Sequence, residues 1–497
     1  MQIPFGEWLP DQPEYLNPGA NVANNVYFAR TSYKRFPSLV PYSSNNLTKD
    51  SRGAGSFRDN SNTVFNFVAT NTDIFQLASG SFTSRKSGLT GANNEYFTFT
   101  QFGNHVIASN GKDAPLYYLM GTSTNFANLS SIGTSGTVPV FKVSGVVRDF
   151  LVTGNHTNFS NRIQWSGIND ITTWEAGNKQ SDLQDLPGSG GQIVHITSGE
   201  IGYIFRQNQI IRMDYVGGAT VFRLSVISPN RGAVLGRTVC QDNRRVFFYA
   251  DDGFFEINGD QVISIGAEKV NRFFDIDLNK AFADRICAAV DPFNQLAMWL
   301  YPSASNTANT TGICDKIIIY NYATQKWSLA DCDASTIFSQ FVGAYTVELM
   351  DIISENLDQI NIALDTDFWN GGQMLLGAID NNFKAAIFSG TANEGTIETR
   401  ELELFPGHRS SITNIRPIVD AAASVTIKSR ERLADNATES STSSMNTSGD
   451  NPVRQSGRYF KIKVKTPSGV AWNHAQGVDL TATRIGLRWQ KKLILIM

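Results

Sequence analysis

The sequence predicts an all-β protein, and three observations predict it. Charged residues make up only 18% of the 497 residues, against a typical ~25%, while aromatics reach 11% and include 32 Phe. Aromatic side chains suit a pleated, half-buried surface, and the 41 glycines, with many short polar residues, suit the turns between strands. Pairs of short apolar segments joined by Asn, Asp or Gly turns recur along most of the chain. The composition is too poor in Ala, Glu, Lys and Leu for a coiled coil or helical solenoid. It is too apolar and aromatic for wholesale disorder. A net charge of -3 and a pI near 6.0 argue against a protein that coats DNA through general positive charge. At roughly 150 residues per domain the length allows about three domain-sized units.

Residues 1–50 are extended and punctuated by Pro4, Pro10, Pro13, Pro18, Pro37 and Pro41. They cannot form a core alone, so they must lie on the central body, on the C-terminal domain or on a neighbouring subunit. From there the hairpins begin. Residues 64–69 and 74–77 flank the turn Thr70-Asn71-Thr72-Asp73, and 105–108 and 116–119 flank a turn containing Asn110-Gly111. The third pair is 149–153 with 162–166, and the fourth is 202–205 with 209–213. In the fifth, 245–250 and 254–257 are joined by Asp251-Asp252-Gly253. The sixth pairs 296–300 with 316–320, and a seventh pairs 374–378 with 383–388 across Asp380-Asn381-Asn382. Asn and Gly tolerate the positive φ of tight hairpin turns. Hairpins recurring at about 40–50 residues are the mark of a β-propeller, each supplying two strands of a four-stranded blade. An irregular run of hairpins in a β-sandwich is the alternative, and the number of units favours the propeller. It spans residues 51–390, with six blades favoured and the seventh unit either completing the ring or leading out of it.

Residues 391–497 predict a small β-sandwich-like domain. Strands fall at 397–405 and 425–428. Residues 458–465 alternate, with Phe460, Ile462 and Val464 on one face and Lys461, Lys463 and Lys465 on the other. Residues 483–489 repeat that pattern. Residues 436–456 are almost entirely Ser, Thr, Asn, Asp and Gly and are expected to form a long mobile loop.

Chemistry-bearing motifs are absent. The five histidines (105, 156, 195, 408, 474) show no metal-ligand spacing, so no metal is expected. Gly188-Ser189-Gly190-Gly191 lacks the Lys-Ser/Thr of a phosphate loop. Asp251 to Asp260 superficially suggests a calcium loop, but Phe254, Phe255 and Ile257 occupy the ligand positions. Ser166 to Trp174 approaches the Asp-box of sialidase-like propellers without its residue order, and no carboxylate pair accompanies it. No Gly-x-Ser-x-Gly elbow occurs. The sequence therefore predicts a protein that is not an enzyme and uses no cofactor. Cys240, Cys287, Cys314 and Cys332 are expected to be reduced and buried, with a Cys314–Cys332 bridge the alternative. No signal peptide and no apolar run of membrane-spanning length are visible.

Charge is unevenly distributed. Between Asn451 and Met497 nine Lys/Arg stand against one acid, Asp479. That segment carries +8, so the remainder of this -3 chain carries -11. The bland account is a solvated strand face that keeps sheet edges from pairing with strangers. The sharper one is a contact to an acidic partner or to passing double-stranded DNA through Arg454, Arg458, Lys461, Lys463, Lys465, Arg484 and Arg488.

The opening Gly6-Glu7-Trp8-Leu9-Pro10-Asp11-Gln12-Pro13, then Asn17, Asn24-Asn25-Val26 and Tyr33-Lys34-Arg35-Phe36-Pro37-Ser38-Leu39, resembles the start of the packaged-DNA stabilisation, or tail-hub (nozzle), proteins of short-tailed phages. Ser38 stands where that family often has Gly. Further matching stretches are 147–152 ahead of Gln164-Trp165-Ser166, 170–174, 207–218, Gly232-Ala233 ahead of 247–252, and 315–327. The similarity covers most of residues 6–330 and fades after Asp380. The resemblance implies a virion protein whose propeller subunits form a sixfold ring. That ring would close and gate the genome channel and would dock portal or adaptor proteins and tail fibres or spikes. It transfers no catalytic residues. The alternative is a carbohydrate-binding or glycoside-cleaving propeller used in receptor recognition, with Trp165, Trp174 and Trp299 stacking on sugars.

Overall fold

The computed structural model describes residues 1–15, 17–92, 94–218, 220–307, 309–341 and 374–485. Each recurring hairpin of the sequence is the middle of a four-stranded antiparallel sheet. Blade 1 is Gly53–Arg58, Val64–Ala69, Ile74–Ala78 and Ser81–Lys86. Blade 2 is Thr98–Phe102, His105–Ser109, Leu116–Leu119 and Ala127–Asn128. Blade 3 is Phe141–Val147, Phe150–His156, Phe159–Trp165 and Asp182–Asp185. Blade 4 is Ile193–Ile196, Ile201–Arg206, Ile210–Tyr215 and Phe222–Ser228. Blade 5 is Cys240–Asp242, Arg245–Ala250, Gly253–Asn258 and Gln261–Ser264. Blade 6 is Cys287–Asp291, Leu296–Tyr301, Cys314–Asn321 and the first half of Lys326–Phe341.

The turns explain the hairpins. Asn110 Oδ1 accepts from the backbone N–H of Lys112 and Asp113, each at 2.9 Å, and Asp380 Oδ1 accepts from those of Asn382 and Lys384. Such side chains do locally what a ladder partner does elsewhere. Gly253 closes the Asp251-Asp252 turn at φ +129, where a side chain would also collide with that of Asn271.

The protein is a β-propeller, and its described residues form seven blades rather than the favoured six. The seventh unit completes the ring by two devices that leave no local mark. Lys326–Phe341 runs 16 residues without a break. It is hydrogen-bonded first to Cys314–Asn321 and then, from Ala334, to Met374–Asp380, and so passes from the rim of blade 6 to the centre of blade 7. The outermost strand of blade 7 comes from the N-terminus, because Pro37–Pro41 pairs with Ala385–Ala392. The innermost strand of blade 7 then packs against those of blades 6 and 1, which closes the circle.

The second domain is a β-sandwich. One sheet runs Val26–Ala29, Ser32–Arg35, Ala475–Arg484, Ser410–Val419, Asn451–Gly457, with Gln2–Pro4 also on Ala475–Arg484. The other runs Ala20–Asn24, Gly395–Thr399, Tyr459–Thr466, Ser424–Arg430. Ile412, Ile415, Val478 and Leu480 meet Val425, Ile427, Phe460 and Ile462 between them. The same apolar cluster continues into blades 5 and 6 through Phe254, Trp299 and Trp327. Residues 1–50 thus do more than pack on a folded body: they supply strands to both sandwich sheets and to blade 7. Residues 436–456, expected to be a mobile loop, instead carry Thr438–Glu439, Ser443–Ser444 and most of Asn451–Gly457. The pairing is held by buried Asn451, whose side-chain amide donates to the carbonyls of Ala423 (3.1 Å) and Ser443 (2.8 Å). Polar composition here marks a solvated sheet edge. Among the described residues no helix is long and apolar enough to cross a membrane.

Candidate functional site

The basic residues singled out by the sequence lie on and around Tyr459–Thr466. Alternation turns Phe460, Ile462 and Val464 into the sandwich core and Lys461, Lys463 and Lys465 to the opposite face. There the acidic body meets the basic end. Lys461 Nζ lies 2.7 Å from Glu14, Lys463 lies 3.4 Å from Glu439 and 3.9 Å from Glu398, and Lys465 lies 2.6 Å from Glu394. Arg458 donates to Glu403 at 2.7 Å, and this hydrogen bond holds the Glu403 carboxyl below its ordinary value. Arg484 lies against the His408 ring nitrogens. The neighbouring strand adds Lys428, 3.1 Å from Glu398, and Arg430, paired bidentately with Glu401 at 2.5 Å. Glu398 and Glu401 are buried. Lys428 and Lys461 stand directly opposite in register, and the carboxylates interleaved around them remove the repulsion that two bare lysines would suffer there. Arg454 is exposed on Asn451–Gly457. Arg488 lies outside the described residues, as do Lys491 and Lys492.

The other sequence candidates are structural. Asp170, in the Asp-box-like stretch, accepts from the Thr172 backbone N–H (2.8 Å), the Thr172 and Thr173 hydroxyls and Lys179 Nζ (2.6 Å). Despite the opposing effect of partial burial, these donors hold its carboxyl far below the ordinary range. Trp165, Trp174 and Trp299, offered as sugar platforms, are 4%, 3% and 0% exposed. Their indole N–H groups donate to the carbonyls of Gln180, Ile171 and Thr238. They are blade core, so the carbohydrate reading loses the residues that motivated it. All four cysteines are free and buried, with no Cys314–Cys332 bridge. Burial pushes the thiols of Cys240, Cys287, Cys314 and Cys332 up. No group of three or more His, Cys, Asp or Glu side chains is gathered as metal ligands among the described residues.

The centre of the ring holds what sequence reasoning missed. A cavity of 460 Å³ is lined by the innermost strands of all seven blades, mostly where those strands begin. The walls mix apolar residues, Phe97, Phe99, Val239, Ile337 and Phe338 among them, with polar ones such as Asn155, Gln207 and Gln241. The residues leading into the strands gather charge at one mouth. The Arg237 guanidinium lies 4.0 Å over the Tyr96 ring and donates to Thr336 Oγ1 at 3.1 Å. Tyr96 donates its hydroxyl to Asp284 at 3.2 Å. Beyond it, Asp50 takes Arg285 at 2.7 Å and buried Arg52 at 3.6 Å. Burial raises the Tyr96 pKa, with Arg237 opposing most strongly. Arg52, Tyr96, Arg237 and Arg285 each precede an innermost strand by one to three residues. That shared offset is the signal a sequence could have carried.

No protein-family model and no curated protein matches the chain. Solved structures that resemble it do so at low similarity. The extracellular domain of BT4673 from B. thetaiotaomicron shares 10% identity at a TM-score of 0.42, over 77% of this chain and 43% of its own. The chain therefore spans less than half of that protein. BamB from Moraxella catarrhalis matches at 10% identity and TM-score 0.37, over 78% of this chain and 100% of its own. The Neurospora crassa Pan2 WD40 domain matches at 7% and 0.38, over 73% and 96%.

Proposed function

We propose that this chain is a structural virion protein, the subunit of a hexameric tail nozzle or hub in a short-tailed phage. In this reading its ring closes and gates the genome channel, and its surfaces dock adaptor, fibre or spike proteins. One observation carries the reading: the residues of the N-terminal pattern are the ones that weld propeller to sandwich. Trp8 is 2% exposed, sits edge-on to Phe273 and donates to the Asn21 carbonyl. Asn17 donates to the Leu9 carbonyl and accepts from the Gly19 N–H. Asn25 donates to Asp331 of blade 6 and to the Glu394 carbonyl, where the chain enters the sandwich, and accepts from the Asp331 N–H. Phe36 packs on Phe388 of blade 7. A pattern devoted to locking two domains into one rigid block is what a wall subunit of a tube requires. The paired lysines of the basic face then serve the block's own cohesion, and among the described residues of that set exposed Arg454 is placed to meet a partner or DNA.

Particle images and sizing of the purified protein test this. Sixfold rings, or binding to a portal or adaptor component, are expected. A protein that stays monomeric at high concentration and binds neither would overturn it.

A further inference from the structure

We propose that the mouth of the central cavity is a binding site for a small oxyanion carried on an apolar body, a carboxylate or a phosphate monoester, with Arg237 as its anchor. The inference is independent of the tail-assembly reading and rests on how the three arginines that precede innermost strands differ. Arg52 and Arg285 both pair with the Asp50 carboxylate. Arg237 has no carboxylate within 4 Å among the described residues, and the nearby Asp284 is engaged by the Tyr96 hydroxyl. A guanidinium offers five N–H donors in a planar fork that matches an oxyanion bidentately. Arg237 gives one of them to Thr336, and the Tyr96 ring fixes the plane of the fork from one side. A second cation, Lys142, also lines the cavity and makes no ion pair among the described residues.

The surroundings complete the description of the ligand. Asn94 and Gln192 add neutral polar residues to the cavity lining. Phe97, Phe99, Ile337 and Phe338 give it apolar stretches of wall. Arg237 and Lys142 in the lining of a 460 Å³ cavity with apolar stretches of wall suit a small amphiphile with its anionic head at Arg237 and its body in the channel.

Calorimetric titration of the full chain with hexanoate, with inorganic phosphate and with neutral hexanol tests the site. Saturable binding of hexanoate or phosphate is expected, with hexanol at least about tenfold weaker than hexanoate. Tighter hexanoate than phosphate assigns a carboxylate on an apolar chain, and the reverse assigns a phosphate head. Arg237→Gln should weaken whichever anion binds by about tenfold or more, and Arg237→Lys should retain part of the affinity. Lys142→Gln, in the cavity lining, gives a second variant that leaves the Tyr96 contact in place. Absence of saturable anion binding to the wild type would overturn the proposal. So would unchanged affinity in a folded Arg237→Gln protein, or, where that variant does not fold, in Lys142→Gln.

Discussion

His156 gives the sharpest quantitative test of the packing. It ends the strand Phe150–His156, is 6% exposed, and its Nε2 lies 3.2 Å from Thr153 Oγ1 inside blade 3. Burial, with the Arg162 guanidinium second, pushes its pKa down from 6.5 to about 4. A base whose pKa is depressed by folding stays neutral in the fold and takes up its proton only on unfolding. Below 6.5 the unfolded chain gains a proton that the folded chain refuses, so stability falls as pH drops from 6.5 towards 4. From pH 7 to pH 5 that loss is about 2 kcal/mol for this one side chain. His156→Gln keeps a group able to hydrogen-bond Thr153 but does not titrate. Urea midpoints measured at pH 7 and pH 5 should therefore draw apart for the wild type by about 2 kcal/mol more than for His156→Gln. Taking the difference between proteins cancels groups of opposite sign, such as Asp291, whose carboxyl is raised by burial. Equal pH dependence in the two proteins would refute the reasoning.

Two further predictions concern the joints. Arg430→Met strands the Glu401 carboxylate, 3% exposed, without its bidentate partner. A loss of about 3–5 kcal/mol is expected in chemical denaturation, with most of it recovered when Glu401→Leu is added. Asn25→Ala removes three hydrogen bonds from a residue at φ +58, a conformation Asn tolerates better than Ala. A loss of about 3 kcal/mol is expected, read as a lowered urea midpoint.

How much was legible follows from where each signal sits along the chain. The central hairpins of all seven blades were readable because both strands and their turn residues are neighbours in sequence, as in 245–257 around Asp251-Asp252-Gly253. The seventh blade was harder to count. Its inner strand is the back half of Lys326–Phe341, and its outer strand, Pro37–Pro41, lies more than 300 residues from the strand it pairs with. Nothing local distinguishes a strand that changes blades at Ala334 from one that simply continues. The basic alternation at 461, 463 and 465 was visible, but not its partners. Glu14, the Glu394–Glu398 stretch and Glu439 come from three separate places, and only the fold brings them to one face.

The central mouth was hidden for the same reason in stronger form. Tyr96, Arg237 and Asp284 belong to three different blade entrances, and each by itself is an ordinary polar residue next to a strand. A ring of blades makes such distant positions equivalent, because whatever precedes an innermost strand faces the axis. The position before each innermost strand is therefore the place where a propeller concentrates chemistry without any contiguous motif. In this chain that position carries three arginines, of which two pair with Asp50, while Arg237 lines the cavity with no ion pair among the described residues. The net charge of -3 conceals both arrangements: a basic end balanced by its own acids on the sandwich, and, at the centre of the ring, an arginine with no ion pair among the described residues.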